Sequence, residues 1–541
     1  MRFLPFGLLL AFGCGSSAAT GDDVAPGDSG PPRPDADPCA DPTDCPGDTG
    51  TFVSALKGAD SNPGTKAMPF KSIGAGLAHA KMLGGEQAVF VAQGNYPEKV
   101  TLAQGIDLNG GYECNPTSCK WTRDLVMFEA TITNQDFEGV LAGAGIGAGT
   151  LFGGFKIVGK DGAPPTAPGS VGVTVANAAP TIRGNRIVGG NVTGGNVANA
   201  DRSIGIALRA TGSNIAVIEN NDITGGAAIS LSSAITFEQI SGVNAVAQVT
   251  SNILRSGTAR RSDGIAAFGA GPGTVISNND ITAGNSSMGA SNGIETTSTM
   301  TIDGNRINTD PATVGTCTQT SAWCAGIASI SATLTITNNV VFGAKGFRSA
   351  GVLLSESEVP AGAVILNGNY VNGGGAGGSP SGGARNESAA VVLTIGPCSN
   401  CGLKGINGRI RNNILDGGIN LNRYAVREDP SQGKTTTVEV LQANELWFAA
   451  ALPSRIDTLY RQVTSVGTPI DIKSVVLLNT GTTPVASQNR SEDPMIDATW
   501  HLGANSACIN AGVPTESAGK DFEGDLRPSA GGYDIGADER P

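Results

Sequence analysis

Charged residues recur at two fixed positions around a repeated Asn. The residue after that Asn is Arg186, Asp222, Ile253, Asp280, Arg306, Val340, Tyr370, Ile414 and Glu445 in successive repeats. The residue two before it includes Arg183, Glu219, Asp303 and Arg411. If the repeats stack, Arg186 lies beside Asp222, Arg183 beside Glu219 and Asp280 beside Arg306. An acid next to an arginine could move a proton beside a carboxylate that the arginine neutralises. This makes Asp222, Asp280, Arg186 and Arg306 the catalytic candidates. The competing reading is a ladder of ion pairs on a solvated face, each worth a few tenths of a kcal/mol. Opposite signs on consecutive repeats favour the ion pairs. No column stacks two or three carboxylates on adjacent repeats, as a calcium site there would require. Asp521, Glu523 and Asp525 are the candidate calcium ligands near the C-terminus, against the simpler reading of a polar turn. No other cofactor is implied. Trp323, Tyr370, Tyr424 and Trp447 are candidate platforms for sugar stacking, although Trp447 and Phe448 could equally cover the last repeats.

The elements that must position these residues come from the repeat itself. Its form is apolar-x-x-Asn-x-apolar, as in Ile182/Asn185/Ile187, Ile218/Asn221/Ile223, Ile276/Asn279/Ile281 and on to Leu441/Asn444/Leu446. Asn185 and Asn444 are 259 residues and eight steps apart, a mean period of about 32. Such a period marks a solenoid, whose units bury surface only against their neighbours. Each repeat also carries a second apolar strand, such as Gly205-Ile206-Ala207-Leu208 or Gly351-Val352-Leu353-Leu354. Short strands between turn residues predict an all-β parallel solenoid of roughly 10–12 rungs, spaced about 4.8 Å apart. With 78 glycines among 541 residues, long helices are disfavoured. The Asn is expected to tolerate left-handed backbone at a bend and to bond the Asn one rung above. Phe152-x-x-Phe155-x-Ile157 fits as a degenerate early rung. Helical spacing at Phe70, Ile73, Leu77 and Ala80 predicts a helical cap over Lys66–Met82 that carries His79 as a structural residue.

The N-terminus reads as an export signal over 1–13: Arg2, then an apolar run from Phe3 to Phe12, too short to span a bilayer. Leu-Ala-Phe-Gly-Cys14 resembles a lipoprotein signal, which makes Cys14 the lipidated residue. Phe12 departs from the small residue usual there, and an ordinary signal peptide is the alternative. Residues 14–50 are a low-complexity tether. An N-terminal cap and first rungs over 51–112, repeats over 113–480 and a closing module over 481–541 complete the chain. Short-range disulfides are expected for Cys39/Cys45, Cys114/Cys119, Cys317/Cys324 and Cys398/Cys401. Cys508 is left over, buried and inert. Only His79 and His501 are present and there is one CxxC, which argues against zinc. The net charge of −12 argues against nucleic acid.

These Asn-bend repeats resemble the right-handed parallel β-helix superfamily that includes pectate lyases. Gly58–Thr65, Pro69–Ile73 and Val91–Tyr96 are similar to the N-terminal segment of many secreted bacterial β-helix proteins. Ser506–Gly512, Asp521–Pro528 and Gly532–Glu539 resemble the C-terminal module called choice-of-anchor Q. The resemblance spans about residues 51–540. It implies the fold, and for the enzymes of the superfamily a calcium held by carboxylates with a basic residue, or clustered Asp residues. The Gly-His-Gly element of related glycosidases is absent. The expectation is an exported, lipid-anchored surface β-helix, in the bacterial outer membrane or at the cell surface, or else periplasmic or secreted. Its partners are the membrane through Cys14 and polysaccharide or other surface components. Its role is non-catalytic glycan or surface binding, or purely structural. A polysaccharide lyase or glycoside hydrolase is the alternative.

Overall fold

The computed structural model describes residues 46–540, except 116, 165–168, 195–200, 213, 311, 319–322, 331, 357–363, 376–385, 396–406, 430–436, 450–454, 463–468, 482–483, 515–518 and 530. Cys14, Cys39, Cys45, Cys398 and Cys401 lie outside the described residues.

Each rung makes three strands, and each strand joins its counterpart in the next rung. Thr181–Arg183, Arg186–Val188 and Arg202–Arg209 form one such rung. The result is three long sheets, A of fourteen strands and B and C of twelve each. All pairings are parallel except the last of sheet C, where Ile470–Ile472 runs antiparallel to Ile456–Gln462. The chain is a right-handed parallel β-helix, as the repeat implies.

The core is a set of aliphatic stacks. Ile182, Ile218, Val249, Ile276 and Ile302 line sheet A, Ile187, Ile223, Leu254, Ile281 and Ile307 line sheet B, and Ile206, Ile235, Ile265, Ile294 and Ile327 line sheet C, all 0% exposed. Burying one such side chain contributes about 1.5–3 kcal/mol.

The sharp bend between sheets A and B holds the Asn ladder. From Asn185 to Asn444, each Asn donates both its backbone N–H and its Nδ2 to the Oδ1 of the Asn in the next rung, at 2.8–3.1 Å. The expectation that these Asn residues are themselves left-handed needs correcting. The residue before each one takes that conformation: Gly184, Asn220, Ser251, Asn278, Gly304, Asn338, Gly368, Asn412 and Ala443 all have φ between 51° and 66°. The ladder Asn is thereby free to aim its amide along the rod axis while its neighbour makes the turn.

A second ladder was not expected. Ser170, Ser203, Ser232, Ser262 and Ser291 pair in register at the start of sheet C, and Ser349 and Ser388 continue the column. All are 0% exposed. Their hydroxyls bond the turn backbone, as in Gly226 N–H to Ser203 Oγ at 2.8 Å and Ser349 Oγ–H to Ala344 O at 2.6 Å. The small hydroxyl meets backbone groups that a tight glycine-rich turn leaves unpaired.

Both ends of the rod are closed. At the N-terminal end, helix α1 spans Ile73–Leu83 and buries Ile73, Gly76, Leu77 and Ala80. A Cβ on Gly76 would lie 2.5 Å from Val53 Cγ2, so glycine lets the helix approach the first strand. The helix starts later than the spacing predicts. Ser72 caps it by accepting the Ala75 N–H at 3.2 Å, and Glu98 accepts those of Ile73 and Gly74. Phe70 instead bridges to Val53 in extended backbone. His79 is structural, its Nδ1 lying 3.0 Å from Thr51 Oγ1. The Cys114–Cys119 disulfide joins a cluster of Phe52, Phe90, Tyr112 and Trp121. At the other end, helix α2 (Val475–Thr480) places Asn479 on the ladder, where its Oδ1 accepts the Asn489 N–H at 3.1 Å.

After Asn489 the chain turns back. The C-terminal module lies along sheet B rather than beyond the last rung. Leu502, Cys508, Phe522, Ile535 and Ala537 pack on Val340, Tyr370 and Ile414. Asn412, one of the left-handed residues, pins the module with both amide atoms: Val513 N–H to Oδ1 at 2.8 Å and Nδ2 to Val513 O at 2.9 Å.

Candidate functional site

The column after the ladder Asn runs along sheet B in the expected order, Arg186–Asp222–Ile253–Asp280–Arg306. Ile253 separates the two acids by a rung. Asp222 pairs with Arg255 of the next rung at 2.8 Å, and Arg183 with Glu219 at 3.8 Å. Asp280 is exposed; crowding by nearby protein raises its carboxyl, while Arg255 and Arg306 pull it down. Arg306 sits 5.8 Å and 5.6 Å from the Trp500 and Phe522 rings of the C-terminal module. The four candidates thus lie on one face without converging on a common point, and the module covers the rest of the column.

The stacking candidates fare differently from one another. Tyr370 is buried under the module beside Phe342. Trp323 lies beneath Arg348 at 4.4 Å and Arg427 at 5.6 Å. Tyr424 lies between Arg427 and Arg461, both at 5.0 Å. The ring faces of these three are occupied by protein. Trp447 is half-buried on sheet B. Of the calcium candidates, Asp521 spends Oδ1 on the backbone N–H groups of Glu523, Gly524 and Asp525, and Oδ2 on that of Glu539. Asp525 is exposed and Glu523 turns toward His501. The second disulfide, Cys317–Cys324, closes a loop that contains Trp323. Cys508 is fully buried, which pushes its thiol up to about 12.

The most concentrated chemistry lies on the outer face of sheet C. Its strands repeat the pattern Ser-x-Gly-Ile, in which x points away from the core. In two adjacent rungs x is an acid or an amide: Ser262-Asp263-Gly264-Ile265 and Ser291-Asn292-Gly293-Ile294-Glu295. Asp263 is 0% exposed and Glu295 is 8% exposed. Arg261 Nε reaches both carboxylates, at 2.7 Å and 3.1 Å. Asn292 Nδ2 donates to both as well, to Asp263 Oδ1 at 3.2 Å and Glu295 Oε2 at 2.7 Å. Burial first, and the Glu295 charge second, push the Asp263 carboxyl up to about 8 against the pull of Arg261. Two carboxyls thus stand on neighbouring rungs, and burial favours the protonated form of Asp263. Phe268 stands at the edge, 38% exposed, with the Arg261 guanidinium 4.3 Å above its ring. Arg261 Nη2 is buried and has no hydrogen-bond partner among the described residues. The site thus gathers an acid pair, an amide and an arginine N–H without a partner, all buried, next to an exposed aromatic edge.

Sequence reasoning centred on the Asn unit did not reach this site. The signal was present in the second strand, where Asp263 replaces the aliphatic or small residue found at Ile204, Ser233, Ala325 and Ala350.

Further along sheet C the outer face is self-paired. Glu387 binds Arg427 at 2.9 Å and Arg348 at 3.3 Å, Asp429 binds the same two arginines, and Asp457 grips Arg423 with both oxygens at 2.7 Å and 2.8 Å. This network spreads over Trp323 and Tyr424 and leaves its charges compensated.

Several solved structures are similar to this chain. Dettilon tailspike protein matches over 76% of this chain and 68% of its own, with a TM-score of 0.42 and 14% identity. Pectate lyase Pel9A matches over 92% and 100%, with a TM-score of 0.36 and 13% identity. The GH136 lacto-N-biosidase from Eubacterium ramulus matches over 77% and 66%, with a TM-score of 0.38 and 13% identity. No family model matches the chain, and no curated protein does. At these identities the likeness concerns the fold alone. The two disulfides are compatible with an exported protein. Among the described residues no helix is long and apolar enough to cross a membrane.

Proposed function

We propose that the chain is a surface-displayed polysaccharide-binding β-helix whose sugar subsite is the Arg261–Asp263–Asn292–Glu295–Phe268 group. The observation that carries this reading is the exposed Phe268 edge, with an unpartnered Arg261 N–H and two carboxyls buried just beneath the same face of sheet C. Sugar recognition needs an apolar platform and a few fixed polar groups, and these sit together here. The export signal, a lipid on Cys14 and the tether through residue 50 would hold the rod away from a membrane, with its long faces open to the surroundings.

Affinity electrophoresis against a panel of neutral and acidic polysaccharides tests this. At least one polymer should retard the protein, and Phe268→Ala should weaken the retardation at least tenfold. Retardation by no polymer, or by one that Phe268→Ala leaves unchanged, refutes the assignment.

One observation favours a second reading, glycoside hydrolysis. Burial pushes Asp263 toward its protonated form one rung from Glu295, and a two-carboxyl mechanism needs such an acid beside a second carboxyl. Release of reducing sugar, lost in both Asp263→Asn and Glu295→Gln, would replace the binding reading with this one. Unsaturated products would instead indicate elimination.

A further inference from the structure

Three ligand-bearing side chains converge in the C-terminal module, away from sheet C. His501 Nδ1 lies 3.2 Å from Asp538 Oδ1 and 3.5 Å from Glu523 Oε2. Ligand atoms of all three residues lie within 4.8 Å of one another. They come from three separate stretches of a segment with almost no regular secondary structure.

The ligands are fixed from behind. Asp538 uses its other oxygen to accept the Leu502 N–H at 2.8 Å. The backbone N–H of His501 donates to Asp497 Oδ1 at 3.0 Å, and its ring rests against Phe522 at 5.7 Å. The turn that carries Glu523 is closed by Asp521. Outer bonds of this kind orient metal ligands in advance.

Asp538 is 6% exposed, and among the described residues its ion-pair partner is His501. A buried carboxylate must be paired or coordinate a metal. Nδ1 faces both carboxylates, so either it carries a proton that it donates to Asp538 or its lone pair faces them, and a cation seated among the three groups satisfies the second arrangement. Asp521 and Asp497 add negative charge nearby; of the arginines close by, Arg306 is stacked over Trp500 and Phe522, and Arg527 lies on the Asp538 side.

We propose that His501, Glu523 and Asp538 bind a divalent transition ion of the zinc class, which fastens the C-terminal module to itself. One imidazole nitrogen with two carboxylates suits zinc, cobalt or manganese better than calcium, whose ligands are all oxygen. The ion would join segments that the small apolar core of the module secures only in part.

The test uses the purified full-length chain, stripped with a chelator and titrated with Co²⁺, whose visible absorption reports its ligand field. One equivalent should bind with a saturable visible band, Zn²⁺ should displace it, and the melting midpoint should rise. Glu523→Gln, at an exposed ligand, should keep the fold by circular dichroism yet weaken binding by at least about tenfold. His501→Ala should abolish the band. The proposal is overturned if Co²⁺ gives no saturable band. It is equally overturned if binding survives in both variants, or if the midpoint responds to His501 protonation alone and not to metal.

Discussion

Asn305→Ala probes the ladder that sets the rung register. Asn305 is 0% exposed. Its Oδ1 accepts the backbone N–H and Nδ2 of Asn279, both at 3.0 Å. Its Nδ2 donates to Ile276 O at 2.9 Å, Asp303 O at 3.1 Å and Asn339 Oδ1 at 2.9 Å. Truncation removes all five bonds, but they are not equal. The Asn279 backbone N–H loses its partner outright, and a buried unpaired donor costs about 1–3 kcal/mol. Asn279 Nδ2 keeps Val249 O and Ser277 O, and Asn339 Oδ1 keeps the Asn305 N–H, so these losses cost about 0.5–1 kcal/mol each. The vacated volume adds about 1 kcal/mol. The expected loss is about 3–6 kcal/mol in all. Guanidinium unfolding followed by far-ultraviolet circular dichroism measures it, with Thr301→Ala on the outward side of the same rung as control. That control should stay within about 0.5 kcal/mol. A loss below about 1 kcal/mol for Asn305→Ala, or no difference from the control, would mean that the aliphatic stacks alone hold register.

Glu445 is fully buried beneath the module, and burial first, then Glu492, pushes its carboxyl up to about 7. Because the folded value exceeds the unfolded one, stability should fall as pH rises from about 4.3 toward about 7. Glu445→Gln should flatten that part of the melting-midpoint profile, and an unchanged profile would count against the assignment. Ser251 takes left-handed backbone at φ 57° where neighbouring rungs use Asn220 and Asn278. Ser251→Asn should therefore stabilise by about 0.5–1 kcal/mol in denaturant titration, and a loss would contradict the strain argument. Cys508 should resist iodoacetamide until denaturant loosens the module, as mass spectrometry of labelled protein would show. Rapid labelling in native buffer would mean that the module is not docked.

The sequence pattern carried the rod almost completely, because a stack repeats its own core. Each Asn and its two aliphatic neighbours report the same bend, so nine weak local signals reinforce one another. The direction of the C-terminal module was not legible. Its contacts join residues such as Asn412 and Val513, 101 positions apart, and no periodicity announces them. Tyr370 looked like a free aromatic for the same reason. The Asp263–Glu295 pair escaped for a different one: the search followed the residues beside Asn, whereas the acids stand on the other strand of the rung. A left-handed residue one place before each Asn was equally invisible, since Gly184, Asn220, Ser251 and Ala443 share a backbone shape but no chemistry.

Successive ladder residues are separated by 36, 31, 27, 26, 34, 30, 44, 31 and 45 positions, yet their bonds are nearly identical. Register is therefore insulated from contour length. A turn can gain or lose many residues while its rung stays seated, because closing a longer loop costs only slowly more entropy. The rod is thus open to insertion at those turns, where lineages could diverge in size and recognition, or foreign segments be grafted, over an unchanged interior.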